Sequence, residues 1–311
     1  MHTRVYFSAP IPTAQNYYNL DHPNRASAPL RETDTGVSVV IATLGGECLS
    51  KTIDSLLSGS KIPDEILICI PVDHASKVSA FASGIIKIIP TEVKGQVKQR
   101  AFGFTQTDFP LVMQLDDDIL LEKESVKMLV DQLLLLGKGN VIGPVYYGKN
   151  TKRCIHDMHA AFSKNLFDYI ICAAPWGIAK MGKVTSVGIN YGVDDSLCKE
   201  DLFSTDWLPG GCVLSFKEDL VTKDFFPFTG KAYCEDVFHS YYRTLAGTRS
   251  WVATGVKVYI DEPIPEFSKA VVEKVISIRR QFLKLIHGPQ WRLFFYEVFC
   301  RIRSRVYPEA E

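Results

Sequence analysis

Between Val37 and Tyr147, apolar β-branched runs alternate with segments of helical period, and this alternation limits the fold more than any other feature. VSVVIAT (37–43) is a continuous strand-like run. Leu49, Ile53, Leu56 and Leu57 follow at i, i+4, i+7 and i+8, which predicts a helix with one buried face. EILICIP (65–71) and IIKIIP (85–90) predict two more strands, and Val97, Ala101 and Phe104 mark one side of a second helix. PLVMQL (110–115) predicts a strand, residues 122–136 a helix with Val126, Leu129, Val130 and Leu133 inward, and NVIGPVYY (140–147) a further strand. Strands without polar alternation are buried on both faces, so the pattern predicts a mainly parallel central sheet between helices, an α/β sandwich. At 311 residues and 46% apolar, the chain is long enough to bury such a core.

The flanks read differently. Residues 1–36 are polar and rich in Pro, Asn and Asp, and are expected to form an irregular N-terminal extension. From Pro144 to Asp206 no period dominates, and short strands with long loops are expected. Residues 266–311 predict two amphipathic helices interrupted at Gly288 and Pro289. The first carries Val271, Val275, Ile278, Phe282 and Leu285; the second carries Trp291, Phe295, Val298, Ile302 and Val306, flanked by Arg292, Arg301, Arg303 and Arg305. This tail holds nine Lys/Arg against five Asp/Glu in a chain of zero net charge. Such helices suit burial against their own domain or a second subunit, and also an anionic bilayer interface. The eight cysteines form no CxxC pair, which fits a reducing, cytoplasmic compartment. Neither a signal-peptide core nor a run of about 18 apolar residues is found, so neither export nor a membrane span is expected.

In LVMQLDDDIL (111–120) a buried strand runs into three aspartates. Ligands of α/β sheets bind at the carboxyl ends of strands, which is where Asp116, Asp117 and Asp118 fall. Adjacent carboxylates repel one another, so they are held by a cation or left in water. Mg²⁺ or Mn²⁺ takes one or two carboxylates and completes its shell with water and phosphate. A solvated turn is the simpler alternative.

The aspartate segment resembles the DxD-type signature of nucleotide-sugar-dependent glycosyltransferases with the GT-A fold, and in particular glycosyltransferase family 2. VSVVIATLG, PDEILICIPVD and KGQVKQRAFGF resemble the family's first strand, second strand and the helix before the acidic strand. WLPGGCVLSFKEDL (207–220) and YCEDVFHSYYRTLAG (233–247) resemble its acceptor-side Gly-Gly segment and late ED motif. The ordered set covers roughly residues 37–260.

The resemblance implies an inverting transfer from a nucleoside-diphosphate sugar, UDP foremost, to a hydroxyl of a saccharide or lipid-linked saccharide in cell-surface glycan assembly. It implies Asp118 as leading metal ligand, Asp116 toward the ribose or the metal's water shell, and Asp117 between them. Thr43, Asp73 and Arg100 take nucleotide contacts, with Lys94 a weaker phosphate candidate. Asp236 becomes the general base and Glu235 its orienting or acceptor-contacting neighbour. On a helical CEDVFHSYYR, Asp236, His239 and Arg243 share one face expected to line the cleft, and Phe238, Tyr241, Tyr242 and Leu245 another. His239 is a further candidate for the metal or diphosphate. Gly210 and Gly211 would let backbone approach the substrates, and Trp207 would stack on a sugar or sit in the core. Asp194, Asp195, Asp201 and Asp206 read as a mobile loop, and Cys154, His156 and His159 as structural.

The expected organisation is an extension (1–36), a transferase domain (37–265) with a nucleotide-sugar half (37–147) and an acceptor half (148–265), and C-terminal helices (266–311). Peripheral membrane contact through the tail and a homodimer are open partners; nucleic acid is not expected. A non-catalytic nucleotide-sugar-binding or assembly protein is one rival, and a sugar nucleotidyltransferase another. The latter needs an Arg/Lys-containing Gly-rich loop after the first strand, where ATLGGECLSK offers only Lys51.

Overall fold

The computed structural model describes residues 35–92, 94–159, 162–228, 232–261 and 268–306. Most of the expected N-terminal extension, and the Arg303, Arg305 and Val306 side chains, lie outside the described residues. The chain divides into two compact units that interleave in sequence. The larger comprises residues 35–155 and 194–261; the smaller comprises 156–193 and 268–306.

The larger unit carries a sheet of nine strands among the described residues. In chain order these are β1 (Val37–Ala42), β2 (Glu65–Pro71), β3 (Ile86–Thr91), β4 (Leu111–Leu115), β5 (Leu120–Leu121), β6 (Asn140–Gly148), β7 (Leu202–Thr205), β8 (Cys212–Phe216) and β9 (Arg249–Ile260). The order across the sheet is β3-β2-β1-β4-β8-β6-β9-β5, with β7 also on β9. β3, β2, β1 and β4 are mutually parallel. β8 runs antiparallel between β4 and β6, while β6 and β9 are parallel. The expected parallel sheet therefore holds through residue 115 and becomes mixed beyond it.

Both faces are dry, as the unbroken apolar runs require. Val39, Ile41, Ile68, Met113 and Leu115 pack on one face against Leu49, Ile53 and Leu56 of α1 (Leu49–Leu57) and Val126, Leu129 and Leu133 of α3 (Ser125–Leu136). Val40, Leu67, Cys69 and Val112 pack on the other with Phe104 of α2 (Gln96–Thr105). α2 lies so close that a Cβ on Gly103 would meet Cys69 Sγ at 2.5 Å and Val40 Cγ1 at 2.6 Å. α5 (Glu235–Leu245) completes the larger unit, entered through Cys234 in the left-handed region at φ 56°.

The smaller unit holds α4 (Phe162–Ile170), α6 (Lys269–Leu285) and α7 (Gln290–Val306). α4 falls where short strands and loops were expected. Its period escapes an inward-facing search because its one fully buried residue is Asp168 and its apolar stripe faces outward. The two expected C-terminal helices are present, broken at Ile286–Pro289. No helix among the described residues is long and apolar enough to cross a membrane. All eight cysteines are free thiols.

Candidate active site

Parallel strands end on one edge of a sheet, so the topology alone gathers the residues that follow β1, β2, β3 and β4. These are Thr43, Asp73, Lys94 and the triplet Asp116–Asp118. Thr43 Oγ1 donates to the Asp117 carboxylate and accepts from Gly45 N at 2.9 Å. Thr52 of α1 donates to Asp117 O at 2.9 Å. Gln99 of α2 donates to Thr43 O at 3.0 Å and Cys69 O at 2.8 Å, which stitches the ends of β1 and β2 together. Asp73 is exposed and pairs with Lys94 at 2.8 Å, with His74 3.8 Å away. The hydrogen bond from Lys94 holds its carboxyl below the usual range.

Asp116 faces inward. Its Oδ1 accepts from Arg100 and, at 2.9 Å, from Gln96 Nε2. Arg100 is buried and donates through its other terminal nitrogen to Glu235 Oε1. One guanidinium thus joins the acidic triplet to the first turn of α5. The glycine pair fits around these carboxylates. A Cβ on Gly210 would collide with Glu235 Oε1, and one on Gly211 would lie 3.2 Å from Asp116 Oδ2 and 3.1 Å from Ile119. Asp116 N also donates to Gly211 O at 2.7 Å. The glycines make room for protein side chains, where the sequence suggested room for substrate.

Asp118 is exposed, and no Lys, Arg or His of the described residues pairs with it. Withdrawal of water by surrounding protein, then the charges of Asp116 and Asp117, push its carboxyl up to about 6 although the side chain still reaches solvent. A nearby cation relieves both effects. An open carboxylate beside two others fits Mg²⁺ or Mn²⁺, which needs only one or two protein carboxylates. The three side chains diverge: no three ligand atoms drawn from Asp116, Asp117, Asp118 and His239 lie within 4.8 Å of one another. A trio that does converge in the larger unit is Cys154, Asp194 and Asp195. Its acids are already engaged, Asp195 by Tyr147 Oη at 2.8 and 2.9 Å and Asp194 by Ser196.

On α5, Asp236 is half-buried and its Oδ1 accepts from Val237 N at 2.9 Å. Glu235 is buried and engaged with Arg100 through Oε1. His239 is 2% exposed and stacks on Phe225 with centroids 4.8 Å apart. Burial, then the charges of Arg243 and Arg100, push its pKa well below the ordinary value, so the ring is neutral. It lines a void with Arg100, Gln114 and Glu235 that has room for about one water molecule. His239 Nε2, Gln114 Oε1, Arg100 Nε and Glu235 Oε2 have no protein hydrogen-bond partner there.

Several expectations therefore change. His239 belongs to a buried polar cluster and not to the acidic triplet, because desolvation and two arginines disfavour its charged form. Arg243 is buried with it, so the expected cleft face of α5 packs inward, whereas Leu245 is exposed. Arg100 is a bridge between two carboxylates, and its guanidinium is not presented to solvent. Trp207 is 3% exposed, a core residue. Asp194 and Asp206 are buried as well, which does not fit a mobile loop. Gln96, Gln99 and Gln114 escaped notice; the signal for Gln114 was a lone amide in an otherwise apolar strand.

Residues 38–182 match the model of the family described as Glycosyl transferase family 2. No curated protein matches the chain. Among solved structures, GalNAc-T7 with UDP, GalNAc and Mn²⁺ aligns over 80% of this chain and 48% of its own, at 14% identity and a TM-score of 0.55. S. aureus TarS 1–349 in complex with UDP-GlcNAc aligns over 79% and 65%, at 16% identity and a TM-score of 0.50. The chain spans about half of the first structure and under two thirds of the second. The family match takes in Thr43, Asp73, Arg100 and Asp116–Asp118 and ends before Gly211, Glu235, Asp236 and His239. Residues 38–182, a little under half of the chain, thus match glycosyltransferase family 2, and the chain has the GT-A fold.

Proposed function

We propose that the chain transfers a sugar with inversion from a UDP-sugar to a hydroxyl of a saccharide or lipid-linked saccharide during glycan assembly, with Mn²⁺ or Mg²⁺ at the Asp116–Asp118 edge. The observation that carries this reading is the meeting of Thr43, Asp73, Lys94 and the triplet at the ends of four parallel strands. The UDP in the GalNAc-T7 structure and the UDP-GlcNAc in the TarS structure support the choice of nucleotide.

Each residue then has a role. Asp118, with an oxygen of Asp116 or Asp117, would hold the divalent ion, which when bound offsets charge developing on the leaving diphosphate. Thr43 fixes Asp117, and Arg100 with Gln96 fixes Asp116. Asp73 at the open edge would accept from the base, and Lys94 beside it would face phosphate. Asp236 would take the proton from the acceptor hydroxyl as its oxygen attacks the anomeric carbon. Glu235 acts through Arg100 and is a positioning residue. The tail at 266–311 is read as a peripheral membrane contact.

The test is UDP release from a panel of UDP-sugars with Mn²⁺, with and without saccharide acceptors. Release from one donor, accelerated by an acceptor, supports the reading. Tight UDP binding with no release under any condition would favour a non-catalytic binding protein, and pyrophosphate release from UTP and a sugar phosphate a nucleotidyltransferase.

A further inference from the structure

Two helices of the smaller unit are built inside out. In α4 the residues turned inward are polar: Asp168 and Asn165 bind the Lys180 ammonium, Asn165 at 2.9 Å, and Lys180 is 2% exposed, while Ser163 and Lys164 stay in solvent. Phe162, Leu166, Tyr169 and Ile170, spaced i, i+4, i+7 and i+8, face solvent instead. Trp176 extends the stripe, with its ring 5.4 Å from Phe162 and 6.0 Å from Tyr169. In α7 the inward residues are Leu293 and Glu297, the latter clasped by Arg280. Trp291, Phe294, Phe295, Val298 and Ile302 are exposed. Phe167 and Phe299, 4.4 Å apart, join the two helices. Of the eighteen exposed large apolar residues among those described, eleven lie in this unit once Ile178 is included. Clustered exposed apolar side chains of this kind mark a partner or membrane interface.

Charge identifies the partner. Residues 156–193 and 268–306 contain twelve Lys/Arg against four Asp/Glu, a surplus of eight in a chain of zero net charge. Three of the four acids are already paired: Asp168 with Lys180, Glu297 with Arg280, and Glu273 with Arg301 at 2.8 Å. Lys164, Lys269 and Lys284 are exposed. Outward aromatic stripes with basic flanks match the interface of an anionic bilayer, where rings enter the headgroup boundary and cations meet lipid phosphates. A second copy would bring the same surplus of eight and be repelled.

We propose that the smaller unit docks on an anionic lipid surface through the outward faces of α4 and α7 together with Trp176. The surface extends beyond the tail to a helix more than a hundred residues upstream, and it does not depend on the donor-site assignment.

The full chain is mixed with phosphatidylglycerol–phosphatidylcholine vesicles and with pure phosphatidylcholine vesicles, sedimented, and read by tryptophan quenching with brominated acyl chains. Binding to the anionic vesicles, weakened by salt and accompanied by quenching, is expected. Trp176→Ser and Phe295→Ser together should weaken it by about a hundredfold, roughly tenfold for each exposed ring, with an unchanged melting midpoint. Phe102→Ser, at an exposed ring of the larger unit, should bind as wild type. Absence of vesicle binding, or equal binding by the double variant, overturns the proposal. So does a concentration-dependent dimer that the double variant abolishes without any wild-type vesicle binding. Vesicle binding uses no donor, so its failure is separate from failure of UDP turnover.

Discussion

Asp116 and Glu235 accept hydrogen bonds from the two terminal nitrogens of the same buried guanidinium, that of Arg100. The strand end that offers the acidic triplet and the helix that offers Asp236 are thereby fixed to one another inside the larger unit. Loss of either carboxylate leaves a buried arginine half compensated.

Glu235→Gln is therefore expected to lower the unfolding free energy by about 3 kcal/mol, the scale for removing one partner of a buried ion pair. Glu235→Leu combined with Arg100→Met should cost less than the sum of the two single changes, because neither Arg100 nor Glu235 is then left as a lone buried charge, while Asp116 keeps its hydrogen bond from Gln96. Urea unfolding of the four proteins checks this; additive losses would mean that the bridge contributes no coupling.

For Asp236→Asn, the expected result is transfer reduced by about 10²–10⁴-fold, the range of general-base catalysis, with UDP affinity essentially kept. Donor turnover and UDP titration separate the two. Near wild-type turnover would remove Asp236 from the chemistry.

Thr43→Val deletes the hydroxyl that holds Asp117. A lost outer partner of this kind costs about 10–100-fold in metal affinity, measurable as a rightward shift of the Mn²⁺ dependence of UDP binding. UDP binding without metal should change far less. Equal losses with and without Mn²⁺ would place Thr43 on the nucleotide alone.

The buried histidines set an acid limit on stability. Burial holds His239 well below the ordinary histidine value of 6.5 and pushes His156 down to about 4. The unfolded chain therefore binds protons first, and stability falls as pH drops below 6.5, with no further gain above it. The loss is about 1.4 kcal/mol per pH unit for each histidine, ending near pH 4 for His156. Denaturant midpoints between about pH 7 and pH 5 should fall, and His239→Gln should flatten the slope by about half. A flat wild-type profile would contradict the burial of both rings.

How far the sequence reaches can be judged from particular elements. VSVVIA, EILICIP and LVMQL could form only strands buried on both faces, and Leu49, Ile53 and Leu56 only an inward helix face. Parallel strands fed by helices send their ends to one edge, so the place of Thr43, Asp73 and Asp116–Asp118 followed from local pattern. α4 was hidden because period marks an apolar stripe without saying which way it faces, and here the stripe faces out.

The sequence by itself determined the parallel half of the sheet and the edge on which its acidic triplet lies, since hydrophobic period and strand direction are local properties. Only the tertiary structure decided that Arg100 spans Asp116 and Glu235, that His239 is buried and neutral, and that 156–193 folds with the C-terminal helices. Those outcomes rest on contacts between residues distant in sequence. A side chain's charge state and partners come from whatever packs around it, which no spacing along the chain encodes.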